Sequence, residues 1–226
     1  MIDTVLNIDF RPFLISFKLA FLTTAILFFI ALPLAWWLSQ TKSKLKPFIE
    51  AIFALPIVLP PSVLGFYLLI AFSQNSSLGR LLKSFNIELL FSFSGLVVAS
   101  IIYSFPFMLQ PLQSGFENLK KSMIEASYVA GKSQLVTLFR VALPNIKPSL
   151  ITALIITFAH TIGEFGVVLM VGGSIANETK VASVAIYEMV ETMEYKSAHI
   201  YSAIMLILSF LVLIVVYIYN RKSKVI

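Results

Sequence analysis

The sequence predicts an all-α membrane protein, a bundle of about five transmembrane helices with short additional helices on the cytoplasmic and the outer side. Of its 226 residues, 58% are hydrophobic and only 12% are charged, whereas an ordinary soluble domain has roughly 25% charged residues. Several apolar runs also reach the length of about 20 residues that a helix needs to cross a bilayer. The predicted spans are 13–38, 48–72, 89–112, 151–170 and 200–219.

The charges of the connecting segments predict the orientation. Eleven of the 17 basic residues lie in segments 41–47 and 114–148 and in the C-terminal tail, and five lie in the segments on the other side. Basic residues concentrate in cytoplasmic loops, so the N-terminus is expected outside and the C-terminus in the cytoplasm. This holds only if 171–199 does not cross the membrane completely, and we therefore expect 181–194 to form a short helix or re-entrant segment on the outer side.

Composition also excludes several classes of site. The chain has no cysteine, which excludes disulfides, thiol catalysis and cysteine-ligated zinc. Its two histidines are too few for a histidine-rich metal site. The net charge of +6 reflects the topology of an apolar chain rather than nucleic-acid binding.

The longest inside segment, 114–148, is patterned as two short helices. One helical stripe carries Leu119, Met123, Ala126 and Ala130. Gly131 suits the left-handed conformation that stops a helix, and Ser133 is a candidate N-cap for the second helix. The second helix is expected to carry Leu135, Leu138 and Phe139 on one face and to end at Leu143-Pro144. From the pattern alone, the pair could simply lie on lipid headgroups.

Particular residues in this segment resemble the EAA motif, E-A-A-x3-G-x9-I-x-L-P, of permease subunits of bacterial ABC importers. The matching positions are Glu125, Ala126, Ser127, Gly131, Val141, Leu143 and Pro144. Only Ser127 and Val141 depart from the pattern. The resemblance implies that 114–148 is a coupling loop within a single importer transmembrane domain, 1–226, and that it sits in a cleft of a separate ATPase. Glu125, Ala126 and Gly131 would be the main docking and shape-determining positions.

The sequence Gly131-Lys132-Ser133 imitates the end of a P-loop. The full pattern needs a glycine five residues before Gly131, where Ala126 stands, and a strand before the loop. We therefore expect no cofactor and no catalytic site in this chain, with ATP and Mg²⁺ bound by the partner ATPase.

Two further segments, 55–61 and 160–166, together with Ser104-Phe105-Pro106, look like the permease of molybdate ABC transporters over most of the chain. Sulfate permeases share the Glu164-Phe165-Gly166 element, and tungstate nearly matches molybdate in size and charge. The resemblance implies an inner-membrane homodimer with two ATPase subunits, an extracytoplasmic molybdate-binding protein and surrounding lipid. It implies no nucleic-acid partner.

These segments also supply the candidate pathway or gate residues. They are Pro56, Pro60, Pro61, Gly163, Glu164, Phe165 and Gly166. The prolines remove backbone donors inside the membrane, and the freed carbonyls must be buried in protein or wetted by a cavity. The segment is then either a kinked packing helix or a broken helix that lines the pathway.

Glu164 is the most informative single candidate. Inserting a carboxylate into a membrane span costs on the order of 3 kcal/mol of free energy, and such a group usually faces the bundle interior. It could be a gate group whose neighbours Gly163 and Gly166 permit close helix approach. It could instead be structural, paired with Lys18, His160 or backbone. A fixed negative charge argues against a role as an oxyanion ligand.

Two other classes of protein remain as alternatives. A partner-independent secondary transporter or channel would need coupling-ion or filter residues and often an internal repeat, and it would leave segment 114–148 unexplained. An intramembrane enzyme would need a convergent constellation of reactive groups, for which His160 and Glu164 are too sparse. ATP-dependent uptake that requires a partner ATPase separates the importer from both.

Overall fold

In the computed structural model, which describes residues 8–223, the regular elements are all helices. They are α1 (Arg11–Gln40), α2 (Lys46–Val58), α3 (Pro61–Phe72), α4 (Ser77–Ser84), α5 (Phe93–Glu117), α6 (Lys121–Val129), α7 (Gln134–Thr137), a π-helical turn (Leu138–Ala142), α8 (Leu143–Asn145), α9 (Lys147–Gly163), α10 (Gly166–Gly172), α11 (Ala182–Glu191) and α12 (Tyr195–Ser223). Lys224 of the predicted basic tail lies outside the described residues.

The predicted all-α membrane bundle is confirmed. Among the described residues, α1, α5 and Tyr195–Val215 of α12 are each long and apolar enough to cross a membrane. The number rises to five if each of two bent pairs counts as one span. These pairs are Lys46–Val58 with Pro61–Phe72, bent by 109°, and Gln134–Asn145 with Lys147–Gly163, bent by 82°.

Helix α5 is the centre of the bundle, and α1 and α9 pack along it. Its N-terminus is capped by Ser92, whose Oγ accepts a hydrogen bond from the Gly95 amide at 3.1 Å. The largest core cluster joins α1, α5 and the α6–α9 region, with Leu27, Leu112 and Phe116 fully buried or nearly so. We call the end of the bundle that carries residues 118–146 the loop end and the opposite end the far end.

The predicted second span is a broken helix and not a kinked packing helix. Pro60 restricts the residue before it to extended conformations, and Leu59 adopts φ −70° and ψ 135°. Helix α3 starts anew at Pro61, where a proline loses no helical hydrogen bond. Of the residues of α2, only Pro56 is buried, so this half of the span lies on the edge of the bundle.

The predicted fourth span, 151–170, is not one helix. Helix α9 ends at Gly163, Glu164 is extended with φ −64° and ψ 134°, and α10 starts at Gly166. At this break a neighbouring segment supplies a partner for the non-helical backbone: Ser183 Oγ donates to the Glu164 carbonyl at 2.6 Å. The two interrupted spans therefore both break, one at a proline and one at an acidic residue.

The short helix expected in 181–194 is present as α11 at the far end. Its first turn is fixed to α1, because the Ala182 amide donates to Ser16 Oγ at 2.9 Å. Its start at Ala182 is buried, whereas Tyr187 and Val190 are exposed. Helix α11 is thus anchored by its first turns, where Val184 and Ala185 are also buried, and is exposed on the face that carries Tyr187 and Val190.

Candidate functional site

The first candidate site is the hairpin of residues 121–145 at the loop end. Gly131 ends α6 with φ +72°, the left-handed conformation that the sequence predicts and that glycine adopts without strain. Ser133 is the predicted N-cap of α7, and its Oγ accepts the Val136 amide at 3.4 Å. The bend between the two arms of the hairpin is therefore set by backbone geometry at Gly131.

The sequence predicts that the second arm ends at Leu143-Pro144, but the arm continues past this pair in the structure. Pro144 lies inside the short helical turn α8, which follows the π-helical turn Leu138–Ala142. A proline ring inside an α-helix clashes with the carbonyl four residues earlier, and a wider π turn relieves such a clash. Asn145 Nδ2 donates to the Val141 carbonyl at 2.7 Å. The side chain thus supplies a donor at a point where the helical pattern of backbone hydrogen bonds is irregular.

Ser127 joins the two arms of the hairpin. Its Oγ lies 2.8 Å from Thr137 Oγ1, and both residues are buried. The motif that this segment resembles has alanine at the position of Ser127. Compared with the motif, Ser127 thus adds a hydroxyl group, and this group has a hydrogen-bond partner ten residues later in the chain.

The faces of the hairpin differ from the predicted stripes. Ala126 and Ala130 are exposed, and Ile124 and Ser127 are buried in their place. In the second arm Leu138 is buried, whereas Leu135 is 68% and Phe139 56% exposed. The hairpin therefore presents Glu125 and Ala126 together with an uncovered apolar surface that includes Val129.

The second candidate site lies where the two broken spans meet. A cavity of about 600 Å³ is bordered by both breaks. Its lining comprises Pro61, Ser62, Tyr103, Ala159, His160, Gly163, Glu164, Phe165 and Gly166. The structure thus brings five of the seven predicted pathway residues to one place, while Pro56 and Pro60 do not line the cavity.

Close backbone approach between α3 and α10 explains why the breaks meet. A Cβ added to Gly166 would lie 2.8 Å from Cβ of Pro61, and one added to Gly65 would lie 2.8 Å from Cβ of Met170. The two helices therefore run side by side in the same direction. A Cβ on Gly163 would meet nothing within 4 Å, so the predicted close approach holds for Gly166 and is wrong for Gly163.

Glu164 is buried, with 4% of its surface exposed. Its Oε2 accepts a hydrogen bond from Ser100 Oγ of α5 at 2.8 Å, and its Oε1 has no partner among the described residues. Together with the bond from Ser183 of α11 to its carbonyl, this residue links α5, the break and α11.

Neither predicted charged partner of Glu164 is observed. Lys18 instead lies with Nζ 4.4 Å from the ring centroid of Phe93, a cation–π contact. His160 Nδ1 lies 3.0 Å from Ser104 Oγ, and its ring stacks on Phe107 with centroids 3.9 Å apart. The predicted His160–Glu164 hydrogen bond is therefore wrong, because each side chain has its own serine on α5.

Sequence reasoning missed Ser100, the contact of Ser104 with His160, and a charged cluster at the loop end. Ser100 and Ser104 are four residues apart on α5, a spacing that could have indicated a polar contact with a neighbouring span. At the loop end, Lys46 Nζ lies 2.7 Å from Glu117 Oε1 and 3.7 Å from Glu50 Oε1. Within residues 8–223, no group of three or more His, Cys, Asp or Glu side chains could hold a metal ion.

Comparisons with known proteins also identify membrane components of transport systems. Residues 29–225 match the family described as the binding-protein-dependent transport system inner membrane component. The chain is 45% identical over 217 residues, 96% of each protein, to the molybdenum transport system permease protein ModB of Azotobacter vinelandii. It is 32% identical over 183 residues, 81% of this chain and 72% of the relative, to the probable sulfate transport system permease protein cysT of Prototheca wickerhamii.

A solved structure has the same fold. It is that of a bacterial alginate ABC transporter in complex with an alginate pentasaccharide-bound periplasmic protein. The TM-score is 0.76 at 17% sequence identity, and the match covers 94% of this chain and 78% of that chain.

Proposed function

Because the chain belongs to the family of binding-protein-dependent transport system inner membrane components, we propose that it is the permease subunit of an ATP-driven importer of molybdate. The observation that carries the choice of anion is the 45% identity, over 96% of both chains, to a permease named for molybdenum transport. The sulfate permease is more distant, at 32% identity over 72% of its length. As a member of this family, the chain is a multi-pass, non-catalytic inner-membrane component.

The proposed assembly contains two copies of the chain related by a two-fold axis, two ABC ATPase subunits and an extracytoplasmic molybdate-binding protein. ATP hydrolysis with Mg²⁺ belongs to the ATPase subunits. The 226 residues act as one transmembrane domain with 114–148 as its coupling loop. The exposed apolar surface of the hairpin supports this, because exposed apolar patches commonly mark interaction sites.

The hairpin residues divide into two roles. Glu125 and Ala126 are exposed and would contact the ATPase cleft directly. Gly131 would set the angle between the arms. Ser127, Val141, Leu143 and Pro144 are the remaining motif positions, and in this proposal they hold the hairpin in shape and fix it to α9. A movement of the ATPase would then reach the bundle through the 82° bend before α9.

The gate is proposed to lie at the meeting point of the two broken spans. Helix ends at Pro61 and Gly163–Gly166 border the cavity, and non-helical backbone in a membrane protein is tolerated where it is buried in protein or lines a cavity. Closure of the ATPases would move the hairpins together and open this region toward the binding protein. Glu164 acts here as an architectural group that ties the break to α5 and α11.

The orientation follows the basic residues. The loop end, with segments 41–47 and 114–148, is proposed to face the cytoplasm. The far end, with α4 and α11, would face the binding protein. The ends of α1 and α12 then place the N-terminus outside and the C-terminus inside.

The experiment that tests this function is uptake of labelled molybdate into proteoliposomes that contain the chain, its ATPase and its binding protein. ATP-dependent uptake that resists excess sulfate but is blocked by tungstate supports the proposal. Uptake abolished by sulfate would identify a sulfate permease. Uptake that proceeds without the ATPase would identify a secondary transporter, and ATP hydrolysis without accumulation would show that the anion is wrong.

A further inference from the structure

Three sides of α5 are covered by neighbouring helices. Phe116 meets Trp36 of α1, with ring centroids 5.1 Å apart. Phe105 stacks on Phe53 of α2 at 4.7 Å. Ser100 and Ser104 bond to Glu164 and His160, at the end of α9.

The fourth side of α5 is open and polar. It carries Tyr103, Gln110, Ser114 and Glu117, whose spacing places them within an arc of about 60° around a helix of 3.6 residues per turn. Tyr103 is half-buried and the other three are exposed. The exposed large side chains on α12, such as Leu206 and Phe210, are apolar. Polar groups on a membrane helix seldom face lipid, so this side faces an aqueous space.

A cavity lies at each end of this open side. Toward the far end is the cavity of about 600 Å³ at the breaks, which Tyr103 borders. Toward the loop end is a cavity of about 470 Å³ between α2 and α5, bordered by Gln110, Ser114 and Glu117. The rings of Phe107 and His160 stack at the border of the far-end cavity, which His160 lines, and Phe107 lies between Tyr103 and Gln110 along α5.

The chemistry of this side suits a tetrahedral oxyanion. Tyr103, Gln110 and Ser114 offer neutral hydrogen-bond donors, and the Gln110 side chain makes no hydrogen bond to any described residue. At the loop end, Lys46 lies between Glu50 and Glu117, and Gln113 donates to both carboxylates. These contacts offset part of the negative charge of the acidic pair where an anion would leave: Lys46 supplies one positive charge, and Gln113 supplies neutral donors.

Resting on the proposed import function, we propose that the open side of α5, Tyr103 to Glu117, lines the route of the anion, and that Phe107 and His160 form the narrow point between the two cavities. Neutral donors pass the anion along the helix, and the two rings separate the far-end cavity from the loop-end cavity in this conformation.

The absence of cysteine from the chain makes single-cysteine labelling a direct test. Gln110→Cys and Ser114→Cys would each be reconstituted with the ATPase and treated with an anionic methanethiosulfonate reagent. The matched control is Phe29→Cys on α1, which is 74% exposed on an apolar surface. We expect positions 110 and 114 to react at least about tenfold faster than position 29, molybdate to slow the reaction, and the bound negative charge to lower uptake about tenfold, which corresponds to about 1.4 kcal/mol.

The outcomes separate this inference from the proposed function. If unmodified Gln110→Cys imports molybdate but reacts as slowly as Phe29→Cys, both at rest and during turnover, the route is wrong and the function stands. If position 110 reacts rapidly while no molybdate accumulates even in the unsubstituted protein, the open side is aqueous but the anion is wrong. If molybdate leaves the labelling rate unchanged during active uptake, the anion does not pass this face.

A second pair of variants tests the narrow point. In a Tyr103→Cys background, reagent supplied from the loop end should react slowly, because the Phe107 and His160 rings stand in between. Phe107→Ala is expected to raise that rate about tenfold, whereas Phe105→Ala, whose ring stacks on Phe53, should leave it unchanged. Equal rates in the two alanine variants would overturn the assignment of the narrow point.

Discussion

Gly131 acts through its backbone conformation, whereas Glu164 acts through its side chain and its carbonyl group. At Gly131 the backbone matters, since its φ of +72° is unfavourable for other residues and a Cβ would meet nothing within 4 Å. At Glu164 the side chain and the carbonyl both matter, since they bond to two different helices. One position therefore tests conformation without packing, and the other tests packing and hydrogen bonding at a break in the chain.

Gly131→Val is expected to abolish association with the ATPase while membrane insertion stays normal. A left-handed backbone costs an L-residue roughly 1–2 kcal/mol, and more when the residue is β-branched. Co-purification of the tagged ATPase measures the effect. Gly131→Asn is the matched control, because asparagine visits the left-handed region readily. Retention of the ATPase by the valine variant would count against the hairpin as the docking element.

Glu164→Gln is expected to retain most of the uptake, whereas Glu164→Ala loses it. Glutamine keeps an oxygen that can accept the hydrogen bond of Ser100, and alanine leaves that buried hydroxyl without a partner at a cost of about 1–3 kcal/mol. Molybdate uptake and thermal unfolding in detergent measure the two effects. Equal loss in both variants would show that the negative charge itself is needed.

Short helices in this protein are fixed by polar contacts as well as by buried apolar side chains, because each is too short to be stable alone. The two arms of the hairpin are joined by Ser127 and Thr137. Helix α11 is held through Ser16, Ser183 and an ion pair in which Lys180 Nζ lies 2.6 Å from Glu188 Oε2. Such elements are expected to respond locally to changes that leave the long helices intact.

Ser127→Ala should destabilise the hairpin by about 1 kcal/mol or more, because the Thr137 hydroxyl is then buried without a partner. The double variant Ser127→Ala/Thr137→Val removes both hydroxyls and should recover most of that loss. Protease resistance of the hairpin in the purified protein measures the stability of both variants. Additive losses in the double variant would mean that the two hydroxyls are not coupled.

Helix α11 should loosen in acid. Burial tends to raise the pKa of Glu188, but the hydrogen bond and charge of Lys180 outweigh it and lower the pKa below its ordinary value. The stabilisation is therefore present above the ordinary glutamate pKa of about 4.3 and is lost as the pH falls through the lowered value. Hydrogen exchange in 182–191, corrected for intrinsic rates, should rise on acidification.

Two neighbouring substitutions provide the controls for that measurement. Glu188→Gln should remove the acid-dependent part of the exchange, and Glu191→Gln, at an exposed position on the same helix, should leave it in place. The same acid response in all three proteins would exclude the Lys180–Glu188 pair as its source.

The whole molecule is asymmetric between its two ends. The loop end carries the hairpin, segment 41–47 and the Lys46 cluster, and the far end carries α4, α11 and the polar contact of α1 with α11. The bundle between them is organised around α5, with α2 and α3 on one edge. For the molecule as a whole, the proposed import function depends on which end of the bundle faces the cytoplasm.

Single cysteines at Lys132 and Asn177 should report that orientation. With an impermeant thiol reagent outside intact cells, Asn177→Cys is expected to be labelled, and Lys132→Cys only after permeabilisation. Both positions are exposed, so burial does not bias the comparison. The reverse pattern would invert the topology that the basic residues predict.

The sequence was sufficient for features that depend on local chemistry. Gly131 adopts its predicted left-handed conformation, Ser133 caps α7, and the prolines at 60 and 61 mark an irregular point for which the broken helix, one of two alternatives, is present. These follow from steric limits that act over a few residues. The short helix α11 was also predictable, because the charge pattern left no room for a sixth crossing.

Features that depend on tertiary partners were not predictable. The glycines of 151–170 do not by themselves specify a break at Gly163, and the residue that bonds to the Glu164 carbonyl there, Ser183, comes later in the chain. Likewise, the stripe of Ala126 and Ala130 is as regular as the stripe that is buried, and only contact with the rest of the bundle selects between them. The π-helical turn before Pro144 arises from a clash whose relief the sequence does not specify.

The break at Leu59-Pro60 bears on how the chain enters the membrane. At 1.5 Å per residue, α2 and α3 are each about 20 Å long or less, too short to cross a hydrocarbon layer of about 30 Å. The contacts of Phe53 with Phe105 and of Gly65 with Met170 come from later parts of the chain. The broken conformation of 46–72 therefore acquires these contacts only after α5 and α10 have been made, so the final packing of this segment is a late event although the segment itself is made early.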